Sequence, residues 1–250
     1  MSIMEYFRNR YTVRNFSNKE ISAGLIEEML MAAAKAPNTG NMQLYSAIVT
    51  RSANGIKALA PAHFNQPAST GCAAMVTFCV DFNRFEHWCK INKAIPGYDN
   101  FQAFMWGVID ATIFAQQFCT IAELNGLGTC YLGTTSYNAP KIAEVLELPS
   151  RVVPVVTIAL GYPTESLAKL TDRLPLESII HREKYCEYTD SDITKAYSYK
   201  ESLPEHKNFV AENNKDNLAQ VFTDIRYKGS DNEYFSKVYR EFIESAGFKI

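Results

Sequence analysis

Three residues near the N-terminus have the types and spacing to act together: Arg10, Thr12 and Arg14. They alternate within Arg10-Tyr11-Thr12-Val13-Arg14-Asn15-Phe16, and in an extended segment alternate side chains share one face. Two planar guanidiniums and a hydroxyl converging on one point suit an oxyanion, above all a phosphate. The same residues would equally serve a solvated basic N-terminus, so other segments must supply the rest of any site.

Two further stretches are rich in small or hydrogen-bonding residues. Pro37-Asn38-Thr39-Gly40-Asn41-Met42-Gln43 reads either as an ordinary turn or as part of a binding wall. Asn125-Gly126-Leu127-Gly128 leads into Thr129-Cys130-Tyr131-Leu132-Gly133-Thr134, where flanking glycines would let a flat ligand approach the main chain; a helix cap followed by a strand fits the same residues. His63, His87, His181 and His206 are scattered, and no Ser-His-Asp or Cys-His set is evident. The six cysteines form no close pair of zinc or redox spacing. No catalytic side chain and no metal ligand is therefore assigned.

A net charge of -2 argues against a broad nucleic-acid or acidic-membrane surface, so any anion site should be local. The N-terminus does not read as a signal peptide, no uninterrupted apolar run reaches membrane-spanning length, and the cysteines read as reduced, so a cytoplasmic protein is expected.

These residues need a scaffold, and periodicity predicts one. Ser22 should cap a helix carrying Leu25, Ile26, Met29, Leu30 and Ala33 and ending at Pro37. A strand over Tyr45–Thr50 should follow, then a short helix at Asn54–Ala60 capped by Asn54, and loop from Phe64 to Thr70. Ala73–Val80 is apolar almost throughout and reads as a strand covered on both faces. Phe101–Leu124 is apolar on more than one helical face, which predicts a helix buried centrally or at a subunit interface; Asp110, Gln116 and Gln117 within it would need partners. Pro140 should open a helix to Leu146. A strand should run from Arg151 to Leu160, with Pro154 indicating a sheet edge or a strand start. Residues 186–250 read as an arm with helices at Asp190–Tyr197 and Asn232–Ala246, whose apolar stripes must be buried on the body or on a partner.

In order along the chain, the motifs resemble the nitroreductase family, in particular its larger oxygen-insensitive and flavin-reductase-like branch. The resemblance covers about residues 5 to 185 and is carried by Arg10-x-Thr12-x-Arg14-x-Phe16, Ala36 to Gln43, Asn65-Gln66, Phe78 to Arg84, Gly126 to Gly133, Leu160-Gly161-Tyr162-Pro163, Arg173-Leu174-Pro175 and His181 to Tyr185. It implies an α+β, nitroreductase-like fold, with a central, mainly antiparallel sheet flanked by helices. It also implies an intertwined homodimer, with an FMN-binding domain at 1–185 and a C-terminal extension at 186–250 packing on the body or the partner subunit.

By position, the resemblance gives Arg10, Thr12 and Arg14 to the FMN phosphate and ribityl end, with Arg173 adding a charge. Asn38, Thr39 and Gly40 would come from the partner subunit, Gln66 would bond the polar edge of the ring, and Tyr131, Leu132 and Gly133 would pass along its face. The branch usually has Lys-Pro-Arg-Leu-Pro where this chain has Thr171-Asp172-Arg173-Leu174-Pro175, so Thr171 replaces a phosphate-binding lysine, and Lys169 is a candidate substitute. The implied activity is ping-pong hydride transfer from NAD(P)H through FMN to a nitroaromatic, quinone or flavin acceptor. A dehalogenase of the same fold and a non-catalytic flavin-binding or redox-sensing protein are the alternatives. Arg226, Lys228, Lys207 and Lys215 are candidates for a 2'-phosphate on the donor.

Overall fold

The computed structural model describes residues 2–164 and 170–250. In chain order the helices and strands are α1 (Ile3–Asn9), α2 (Ala23–Ala33), β1 (Tyr45–Thr50), α3 (Ala53–Leu59), α4 (Pro67–Thr70), β2 (Ala74–Asp81), α5 (Asn83–Ile91), α6 (Phe101–Leu124), β3 (Gly128–Leu132), α7 (Ala139–Val145), β4 (Val152–Gly161), α8 (Asp190–Ser202), α9 (Pro204–Glu212), α10 (Leu218–Val221) and α11 (Gly229–Ser245). Two compact units divide them: Met1–Tyr11 with Ala168–Tyr234, and Thr12–Leu167 with Phe235–Ile250.

The second unit is built on a four-stranded sheet of order β1-β2-β4-β3, every pairing antiparallel. Every residue of β2 is buried, as its continuous apolar run predicts. Ala74, Val76 and Phe78 face one core with α2 and α6, where Phe78 meets Phe114 edge-on at 5.1 Å. Met75 faces the opposite core with Leu59, Ile142 and Leu132. The helix α6 spans the predicted residues, and Asn100 caps it through Ala103 N.

Two local expectations change, and that for Pro154 gains a detail. Pro154 is the third residue of β4, in the part of the strand flanked by β2 alone because β3 pairs only with Thr157 to Gly161, so it stands near the strand start at a local sheet edge, as expected. The pairing shifts there, Phe78 facing Val156 while Cys79 faces Pro154, so the missing proline N–H falls at a bulge and disturbs no regular ladder. The short helix α3 is capped by Ser52 and not Asn54, because the Ser52 hydroxyl reaches Gly55 N at 3.1 Å. Pro67–Thr70 is a helical turn and not loop; Pro67 stands where its absent N–H costs nothing.

A third core of this unit takes in the end of the chain. Ile243, Ala246 and Phe248 pack with Leu44, Val80 and Phe82. The buried Arg151 fastens that end: it donates to Glu86 Oε1 (2.7 Å), Gly247 O (2.8 Å) and Tyr98 O (2.6 Å), with its guanidinium over the Phe248 ring. The apolar stripe of α11 is thus partly buried on its own chain.

The first unit is mainly helical. A capping box of Ser2 and Glu5 starts α1, which the sequence reading leaves unassigned, and another of Thr189 and Asp192 starts α8. The helix α8 runs past Tyr197 to Ser202, and α9 and α10 are additional to the predicted elements. His206 bonds Lys200 O through Nδ1 (2.6 Å), and Arg226 lies over Phe209 at 4.2 Å.

Candidate active site

The segment carrying Thr12 and Arg14 is seated by a pair of glycines. Gly128 of β3 and Gly161 of β4 are cross-strand partners. A Cβ on Gly128 would stand 2.6 Å from Val13, and one on Gly161 would stand 2.8 Å from Phe16. Their missing side chains let the segment lie against the sheet, where Val13 N donates to Thr129 O (3.0 Å) and Ser17 N to Tyr162 O (2.7 Å). Val13 is buried, Thr12 half-buried and Arg14 exposed, the alternation expected of an extended stretch.

At the far end of β3, Leu132 and Thr134 are buried while Gly133 between them is exposed. A Cβ on Gly133 would meet no atom within 4 Å, so the main chain is open there to a ligand. Tyr131 is half-buried, and its hydroxyl donates to Gln116 Oε1 on α6 (3.1 Å), one partner for the polar residues of that apolar helix.

Gln66 follows Phe64 and Asn65, both left-handed at φ 54° and 50°. Its side chain is exposed, its carbonyl accepts from Ser69 N and Oγ (2.8 Å each), and its own N–H donates to His63 O (3.2 Å). Its main chain is therefore fixed while the residue stays exposed.

The Asn38 to Gly40 loop is anchored on α6. Thr39 gives both its N–H and its hydroxyl to Asp110 Oδ1, each at 2.9 Å. Asn38 Oδ1 accepts from Gln43 N (3.2 Å), which folds the loop on itself, and Gly40, Asn41 and Gln43 are all left-handed. Arg84 closes the exit by donating to Gln43 O, Tyr45 O and Ser46 Oγ. Asp110 Oδ2 and the Tyr45 hydroxyl are buried without hydrogen-bond partners. Burial, and secondarily the Asp110 carboxylate, push the Tyr45 phenol pKa up.

Arg10 and Arg173 belong to the first unit. Arg173 is curled on its own turn, donating to Thr171 Oγ1 (2.5 Å) and Asp172 O (2.9 Å). Asp172 pairs with Lys200 at 2.8 Å, and that hydrogen bond holds its carboxyl below the usual range. Lys169 lies outside the described residues. Of the arm cations, Lys215 pairs with Asp224 (2.8 Å), while Lys207 and Lys228 are exposed.

The sequence reading gave no role to His63, Thr134 or Asp110, the residues that hold these loops. Asp110 alone carried a signal, as a polar residue in an apolar helix that would need a partner.

The sequence profile of the Nitroreductase family matches residues 7–162, which include the segments above from Arg10 to Tyr162, while Arg173 and the arm residues lie outside it. The chain belongs to the nitroreductase family. A crystal structure from Bacteroides fragilis superimposes with a TM-score of 0.96 at 46% identity, covering 99% of this chain and 100% of that one. A Pseudomonas protein named Cr(VI) reductase is 28% identical over 78% of this chain and 80% of its own length. A Bacillus subtilis protein named FMN reductase (NADPH) is 29% identical over 75% of this chain and 76% of its own. Membership accounts for the mixed helix and antiparallel-sheet architecture and makes the chain an oxidoreductase. No helix among the described residues is long and apolar enough to cross a membrane.

Proposed function

We propose that this nitroreductase-family protein is an FMN-dependent oxidoreductase that takes hydride from NAD(P)H and passes it, in a ping-pong cycle, to a nitroaromatic, quinone or flavin acceptor. The observation that carries the reading is Gly133. It leaves open main chain between two buried residues at the end of β3, in the segment that the family resemblance gives to the flavin face. The donor set also fits FMN: a guanidinium at exposed Arg14, a hydroxyl at Thr12 on the same segment, and an amide at exposed Gln66. The names of the Pseudomonas and Bacillus relatives support the same reading.

When bound, FMN supplies the redox chemistry, with hydride passing through N5. The chain's residues bind and orient. Thr12 and Arg14 hold the phosphate end, Gln66 bonds the ring edge, and Tyr131, Leu132 and Gly133 present main chain to its face. Arg10 and Arg173 enter through the resemblance alone.

We also read the active form as a homodimer in which Asn38, Thr39 and Gly40 reach the partner's flavin. Phe101 (59% exposed), Ile109 (49%) and Leu124 (63%) are large apolar side chains of α6 left exposed in the single chain, which supports a covering partner. The flavin-binding work falls to residues 1–185, with 186–250 as the extension. Free thiols at all six cysteines support a cytoplasmic location.

The test is flavin binding. The purified protein should retain FMN through dialysis, and FMN should raise the Tm of the stripped protein. A colourless protein whose Tm ignores FMN contradicts the reading.

A further inference from the structure

His63 is fully buried at the end of the 3-10 turn Ala60–His63, three residues before Gln66. Its Nδ1 lies 2.9 Å from Thr134 Oγ1, a bond between residues 71 apart in sequence. Its carbonyl accepts from Gln66 N (3.2 Å). One residue thus grips Gln66 through its main chain and the residue after Gly133 through its side chain. The neighbouring bond of Asn138 Nδ2 to Ala62 O (2.7 Å) braces the same two loops.

Core packing does not explain a polar ring here. His63 Nε2 is buried without a hydrogen-bond partner, which costs free energy that an aliphatic side chain would not incur. An unpaired buried acceptor is better tolerated than an unpaired N–H, so the ring is neutral with its proton on Nδ1, donating to Thr134. The two left-handed residues, Phe64 and Asn65, carry the chain from this anchor to Gln66.

We propose that His63, through Thr134, is a positioning residue that sets the ring-edge contact at Gln66 in register with the ring-face turn at Gly133. The proposal rests on the flavin reading above. Burial keeps the imidazole neutral, with its pKa lowered to about 4, so the link persists at neutral pH.

The test titrates FMN into stripped wild type, His63→Leu, Thr134→Val, the double variant and His63→Asn, whose amide can still donate to Thr134. The readouts are Kd, the visible circular dichroism of bound flavin, and the Tm without flavin. Each single variant should weaken FMN binding about tenfold, as expected for one lost hydrogen bond in register. It should also alter the flavin dichroism, the double variant should be no worse than the worse single one, and His63→Asn should recover most of the affinity. Thr134→Val, close in shape, carries the test should His63→Leu not fold. Lower Tm with unchanged Kd and dichroism overturns the proposal and leaves the flavin reading standing. Wild type that binds no FMN overturns both.

Discussion

Thr39 donates its main-chain N–H and its hydroxyl to the same oxygen, Oδ1 of Asp110, each at 2.9 Å. The buried carboxyl of a central helix is therefore the anchor of an otherwise irregular loop. Asp110→Ala leaves two donors without an acceptor and should cost roughly 2 kcal/mol. Asp110→Asn keeps an acceptor at Oδ1 and turns a donor toward the unpartnered region near Tyr45, so it should cost less than about 1 kcal/mol. Urea denaturation of the two variants checks the difference; equal losses would remove the anchor from the account.

The contact of Val13 with Gly128 gives a second expectation. Gly128→Ala places a Cβ 2.6 Å from Val13, against a fixed strand, and should destabilise by roughly 1 to 3 kcal/mol. Val13→Gly removes the Cβ and both methyl groups that the new side chain would meet, so the double variant should lose less than the sum of the singles. Additive losses in denaturant titrations would show that the two residues do not press on each other.

Gly133 behaves in the opposite way. Because a Cβ there meets no atom, Gly133→Ala should leave the stability of the flavin-free protein within about 0.5 kcal/mol of wild type. It should still weaken FMN binding severalfold, since the methyl group enters the space assigned to the ring. Unchanged affinity by fluorescence titration would move the ring face elsewhere.

His63 makes stability depend on acid. Its pKa is lowered to about 4 in the fold, below the ordinary value of 6.5, so between those values the unfolded chain binds the proton and the folded one does not. Stability should therefore fall as pH drops from about 6.5 to 4, by roughly 3 kcal/mol from this group. In His63→Asn that part of the slope should vanish in urea titrations across the same range; an unchanged slope would place its origin in other groups.

What was legible in the sequence was whatever local periodicity writes. The continuous apolar run of β2 and the apolar faces of α6 follow from residues close in sequence, and so does the alternation around Val13. Pro154 was legible as an edge or strand-start residue, but the bulge beside it belongs to two strands at once, and the shift opposite Phe78 and Cys79 cannot be read from β4 alone. The site divides in the same way. Arg14, Gln66 and Gly133 were readable as types in motifs. The Thr39 to Asp110 and His63 to Thr134 bonds each join residues 71 apart, which only the folded chain brings together.

The most direct measurement of the central claim is anaerobic reduction of the purified protein. NADPH or NADH should bleach the bound flavin spectrum, and a nitroaromatic or quinone added after the oxidised nucleotide is removed should restore it. Bound flavin that neither nucleotide bleaches would contradict the account and leave a flavin-binding protein without turnover.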